Sequence, residues 1–92
     1  MVTVRLPEIL DIRAASPLAA EILHARGAPL TLDASNVAKI GTQCIQVLLS
    51  ARATWTSDGV PLGVVHPSDA LLEALETLGI PFTEISEQEN AK

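Results

Sequence analysis

The hydrophobic period changes along this chain, and each change marks an element. Val2-Thr3-Val4-Arg5-Leu6 alternates apolar and polar residues, the two-residue period of a half-buried strand, and Pro7 ends it. Ile9-Leu10 offers a second short extended piece. From Asp11 onward alanine and leucine take over. Ser16-Pro17 predicts a helix start, a capping hydroxyl followed by the residue best tolerated at the first helical position. Leu18, Ile22 and Ala25 then recur at helical spacing, and Gly27 stands where a helix-ending glycine belongs.

Pro29 to Ala34 predicts a second principal strand, closing in the polar turn Ser35-Asn36, while Val37 to Ile40 carries too little pattern to classify. Thr42 to Ser57 gives the longest helical signal. Cys44, Leu48, Ala51 and Trp55 form one apolar stripe, with Ile45 and Leu49 beside them, and Gln43, Gln46, Ser50 and Ser57 form a polar stripe opposite. Asp58-Gly59 is a turn signal. Val60 to Val65 has the length of a buried strand, and Pro67-Ser68-Asp69 opens a third helix with Ser68 as its cap. Leu71, Ala74, Leu75 and Leu78 share a face of that helix, which Gly79 ends. Ile80 to Ile85 predicts a closing edge strand, where Pro81 is tolerated. Residues 86–92 carry no pattern and are expected to be a disordered tail after a single domain of residues 1–85. Strands alternating with helices predict an α/β fold with parallel pairs and right-handed crossovers.

Composition removes several function classes. At 92 residues and 48% hydrophobic the chain suits one domain with a real core. One cysteine permits no internal disulfide, as expected in a reducing compartment. Six Lys+Arg against eleven Asp+Glu leave a net charge of −5, which argues against nucleic acid and anionic membrane surfaces. No apolar run approaches the roughly 20 residues of a bilayer span, and Arg5, Pro7 and Glu8 interrupt any signal-peptide pattern. The expectation is a cytoplasmic protein without membrane insertion.

Candidate chemistry is sparse. Asp33, Thr42, His66 and Ser68 are each expected near the carboxyl ends of the strands, where α/β sheets usually build their sites. Thr42 and Ser68 read as helix caps and Asp33 as a turn former. No nucleophile elbow accompanies them, so a catalytic triad from Thr42 or Ser68 with His66 and Asp33 is not supported. His24, Cys44 and His66 lack ligand-like spacing, and Cys44 lies on an apolar stripe as a small core hydrophobe. Five scattered glycines form no phosphate-binding loop. No catalytic residue, metal or cofactor is expected, and an interaction module is favoured over an enzyme.

The run Leu32-Asp33-Ala34-Ser35-Asn36-Val37-Ala38-Lys39-Ile40-Gly41-Thr42-Gln43-Cys44-Ile45-Gln46-Val47-Leu48-Leu49 resembles the signature region of the STAS domain, named for sulphate transporters and anti-sigma factor antagonists. The resemblance extends from about Val2 to Ile85 and includes the Leu78-Gly79-Ile80 ending. It implies a mixed, mostly parallel sheet of four or five strands with helices mainly on one side. In the family's regulatory branch a Ser/Thr at the start of the long helix is phosphorylated, and Thr42 takes that position, with Asp33 as the strand-end Asp. Gly41 replaces the Asp that normally precedes the acceptor, Gln43 a small residue and Cys44 a glycine. Gly41-Thr42-Gln43-Cys44-Ile45-Gln46-Val47-Leu48, with Thr54-Trp55 and Asp58-Gly59, is similar to stand-alone STAS proteins encoded with bacterial chemotaxis genes. That likeness implies a histidine kinase partner, and the polar stripe flanking the start of the long helix sets the expected docking surface at Asp33, Gly41, Thr42, Gln43, Gln46 and Ser50. Its alternatives are an anti-sigma factor antagonist switched by phosphorylation at Thr42, and an accessory subunit of a lipid-transport ATPase.

Overall fold

A computed structural model describes residues 2–86. Five strands and three helices alternate: β1 (Val2–Arg5), β2 (Ile9–Leu10), α1 (Ile12–His24), β3 (Leu30–Asp33), β4 (Lys39–Ile40), α2 (Thr42–Asp58), β5 (Leu62–Val65) and α3 (Asp69–Thr77). A short 3₁₀ turn, Phe82–Glu84, follows. The α/β expectation is met, with the five strands divided between two sheets. β1, β3 and β5 form a parallel sheet in that order, and β2 pairs in parallel with β4.

Register explains which face is buried. Val4, Leu32 and Val64 stand side by side, as do Val2, Leu30 and Leu62, so one face of the sheet is aliphatic. The other face carries Thr3, Arg5, Thr31 and Asp33. Leu30, Leu32, Leu62 and Val64 join Leu18, Ile22, Cys44, Leu48, Trp55, Leu71 and Leu75 in one buried cluster. Trp55 is 1% exposed, and its Nε1 donates to the Ala28 carbonyl at 2.8 Å, so the ring's one polar atom is satisfied within the core. A Leu/Val/Ala core around one tryptophan is what a chain with 2% aromatics can build.

Three local expectations are corrected. α1 begins at Ile12, not at Ser16-Pro17, because Asp11 is the cap: its Oδ1 accepts from the backbone N–H groups of Arg13 (3.0 Å) and Ala14 (3.3 Å). Pro17 therefore lies inside the helix, just past its first turn, and forgoes the backbone bond to the Arg13 carbonyl. The cap of α2 is Gly41 rather than Thr42, which is the first helical residue. The closing edge strand is replaced by the turn at Phe82–Glu84, since Pro81 directs the chain into it and Ile85 drops into the core at 0% exposure.

Ser86 bridges Val64 in parallel, so the last described residue is attached to the sheet. Of the tail expected at 86–92, residues 87–92 lie outside the described residues. α2 ends cleanly: Gly59 has a φ of 73°, and its N–H returns to the helix's last turn.

Candidate functional site

The start of α2 is positioned by the small sheet. Ala38 and Lys39 donate to the Glu8 carbonyl at 2.8 and 3.1 Å, and Gly41 donates to the Leu10 carbonyl at 2.9 Å. These bonds pin the segment from Ala38 to Gly41 against the chain that leads into α1. One turn later the Cys44 thiol donates to the Asp11 carbonyl at 3.4 Å. Burial pushes the Cys44 thiol up from its ordinary value, and the nearby Asp11 charge adds to that, so the sulfur stays protonated and acts as a core group.

Gly41 provides no side chain to cap α2. Its φ of −99° is open to any residue, and a Cβ there would meet only the Leu10 carbonyl at 3.8 Å, an ordinary contact. Nothing in the backbone demands glycine here. Thr42 and Gln43 follow, both exposed, and Gln46 and Ser50 continue the exposed line along the helix.

That line borders a groove of about 460 Å³ between α1 and α2. Gln43, Gln46, Ser50 and Thr54 form its α2 side, above Val47, Ala51 and Trp55, and Ala15, Ala19, Ile22 and Leu23 form its α1 wall. Arg26 and Asp58 tie the far ends of the two helices together through a two-pronged contact at 2.9 and 3.2 Å. The Arg26 contact holds the Asp58 carboxyl below its ordinary value.

Asp33 occupies a different setting, the carboxyl rim of the three-stranded sheet. Its Oδ1 accepts from the Ser35 N–H at 2.9 Å. That bond holds the carboxyl below its ordinary value, with smaller help from His66 and Arg5. His66 leaves β5 with a φ of 52°, a left-handed conformation that histidine adopts more readily than most residues. Ser68 caps α3 by accepting from the Leu71 N–H at 3.1 Å. Among the described residues, no three His, Cys, Asp or Glu side chains are grouped as a metal site requires, and no helix is long and apolar enough to cross a membrane.

The structure thus gathers Thr42, Gln43, Gln46 and Ser50 on one exposed helix surface, with the half-buried Gly41 just before it, and puts Asp33 on the sheet rim beside Arg5 and His66. Sequence reasoning missed the α1 wall. The signal was present, since Ala15, Ala19 and Leu23 recur at helical spacing, but a helix start placed at Ser16-Pro17 concealed it.

A family model described as "Mlab, STAS domain" matches residues 1–81, nearly the whole chain. The chain belongs to the STAS domain family. No curated protein and no solved structure matches it. As a STAS domain it is a signalling or regulatory module of the protein-interaction kind, and the three-stranded parallel sheet with its paired helices is compatible with that fold.

Proposed function

We propose that this STAS domain is a non-enzymatic adaptor in bacterial signalling that binds a chemotaxis histidine kinase. It docks through the first half of α2. The observation that supports this reading is the surface made by Thr42, Gln43, Gln46 and Ser50, headed by the half-buried Gly41: exposed along the helix, uncharged and set beside a groove. Interface centres are depleted in charged residues relative to the rest of a surface, and this one stands out on an acidic chain. Asp33, carried on the rim, serves as a flanking contact. The acidic balance suits a basic patch on the kinase, with association that weakens as salt rises.

Gln46→Lys tests it. The variant is expected to fold as the parent does and to lose co-purification with the kinase. Retained binding in that variant and in matching changes at Gln43 and Ser50 would sink the assignment.

A second reading is an accessory subunit of a lipid-transport ATPase. What favours it is the description of the matching family, which names Mlab and no chemotaxis protein. Co-purification of an ATP-binding transport subunit, with no kinase, would decide for it. The phospho-switched antagonist is the third, favoured by the exposure of Thr42 at the first helical position, where its hydroxyl is not used for capping. A phosphate there would add about −1.5 to −2 charges to an uncharged docking face. Incubation with candidate kinases and ATP, read by intact mass, settles that: without an added phosphate there is no switch.

A further inference from the structure

Resting on the kinase-docking reading, we infer that the groove between α1 and α2 receives an amphipathic helix of the kinase whose inserted ridge carries no charge. From Gln43 to Thr54 the α2 side of the groove runs about 16 Å at 1.5 Å per residue, three turns of helix. Over that length a docked helix presents anchors at i, i+3 or i+4, and i+7. On the facing wall, Ala15 and Ala19 leave room for a ridge to approach α1. Ile12 and Leu23 share their stripe on α1 and are left 67% and 56% exposed, apolar surface that the described residues leave uncovered.

Charge selects the occupant. The chain has six Lys+Arg and eleven Asp+Glu, yet only Arg52 and Asp58 fall within α2. Both are paired within the chain, Asp58 at the surface. Arg52 Nη1 donates to the carbonyls of Glu84 and Ser86, at 3.2 and 2.7 Å, and Asp58 accepts from Arg26. An entering side chain therefore meets amides, hydroxyls and methyl groups, with no ion to pair with along the walls. A Lys or Glu seated there would lose hydration without a counter-charge. An extended loop would bring backbone N–H and C=O groups against a largely apolar floor, whereas a helix satisfies its own. Outside the groove, the net charge of −5 favours basic residues on the partner's flanks. A neutral ridge between basic flanks is the complement of this surface.

The test uses the full-length chain and the purified chemotaxis histidine kinase encoded in the same genome. Ala19→Trp fills the groove while leaving the polar stripe intact, and Gln46→Glu charges the stripe while leaving the groove open. Leu23→Asp alters the α1 wall at a position outside the core. All three are expected to weaken kinase binding at least tenfold, with thermal unfolding checked for each. A diazirine side chain at position 23 is expected to cross-link into a helix of the kinase with an uncharged facing ridge. Loss of binding in Gln46→Glu, with parental binding in Ala19→Trp or Leu23→Asp, overturns groove insertion and leaves the docking reading standing. Parental binding in all three, or no binding by the parent, overturns both. A cross-link into a loop, or into a helix whose facing ridge is charged, overturns the choice of occupant.

Discussion

Two helices of this domain start within a few residues of the same place and finish their first turns in opposite ways. α1 begins under Asp11, whose carboxylate accepts from two of the helix's first N–H groups. α2 begins under Gly41, which has no side chain to offer. Helix starts favour Ser, Thr, Asp or Asn because a side-chain oxygen satisfies one of the orphan N–H groups. The start of α1 follows that rule and holds the fold. The start of α2 departs from it where the backbone would accept any residue, and it is the end that carries the proposed docking surface. Without a side-chain cap, α2 is held by the backbone bonds that pin the chain before it, by its buried stripe and by Trp55 near its far end.

That contrast can be broken experimentally. The largest effect is expected at Trp55→Ala, which removes the far anchor of α2 and the bond to the Ala28 carbonyl. A loss of about 3–5 kcal/mol in urea unfolding is expected for a buried tryptophan. A loss under about 1 kcal/mol would mean that the bonds at the start of α2 hold it without the far anchor. Asp11→Ala should come next, costing about 1 kcal/mol as the cap of α1 disappears. Kinase binding should be unchanged in that variant once folding is accounted for. At Gly41→Ser the expected gain is a few tenths of a kcal/mol, because a serine cap improves only slightly on glycine. Binding should nonetheless fall, since the new side chain rises from the docking face. Improved stability with full binding would show that the bare start of α2 has no functional reason.

The smallest effect concerns acid. Asp33 is held below its ordinary value in the folded chain, chiefly by the Ser35 N–H. A depressed folded value means stability present above the unfolded value, near 3.9, and lost as pH falls below it. Asp33→Asn should therefore flatten the lowest part of the stability–pH curve and lower the neutral region slightly, with parent and variant converging in acid. An unaltered acid limb would remove Asp33 from the account.

The parts of this fold readable in advance were those whose signal is long or chemically marked. α2 could be read because Cys44, Leu48, Ala51 and Trp55 keep helical spacing for over three turns and Gly59 stops them. β3 was legible from Leu30 and Leu32 alternating with Thr31 and Asp33. β4 was not, because two residues cannot display a period, and their pairing with Ile9–Leu10 is a tertiary fact. Ser16-Pro17 misled because the pair has the chemistry of a helix start, while Asp11 supplied the cap five residues earlier. Ile80, Phe82 and Ile85 have the apolar content of a strand, yet Pro81 and the core site taken by Ile85 bend them into a turn. The polar stripe of α2 was visible, but the groove beside it needed a second wall that only packing against α1 supplies.

Arg52 gives the molecule a back and a front. It lies two residues from both Ser50 and Thr54, about 200° around α2 from each, and its guanidinium clasps the carbonyls of Glu84 and Ser86. The segment from Glu84 to Ser86 therefore sits on the reverse of the helix that fronts the groove. A fluorophore or a sensor-chip tether attached through the exposed position 84 would stand behind α2, leaving the docking face open for measurement.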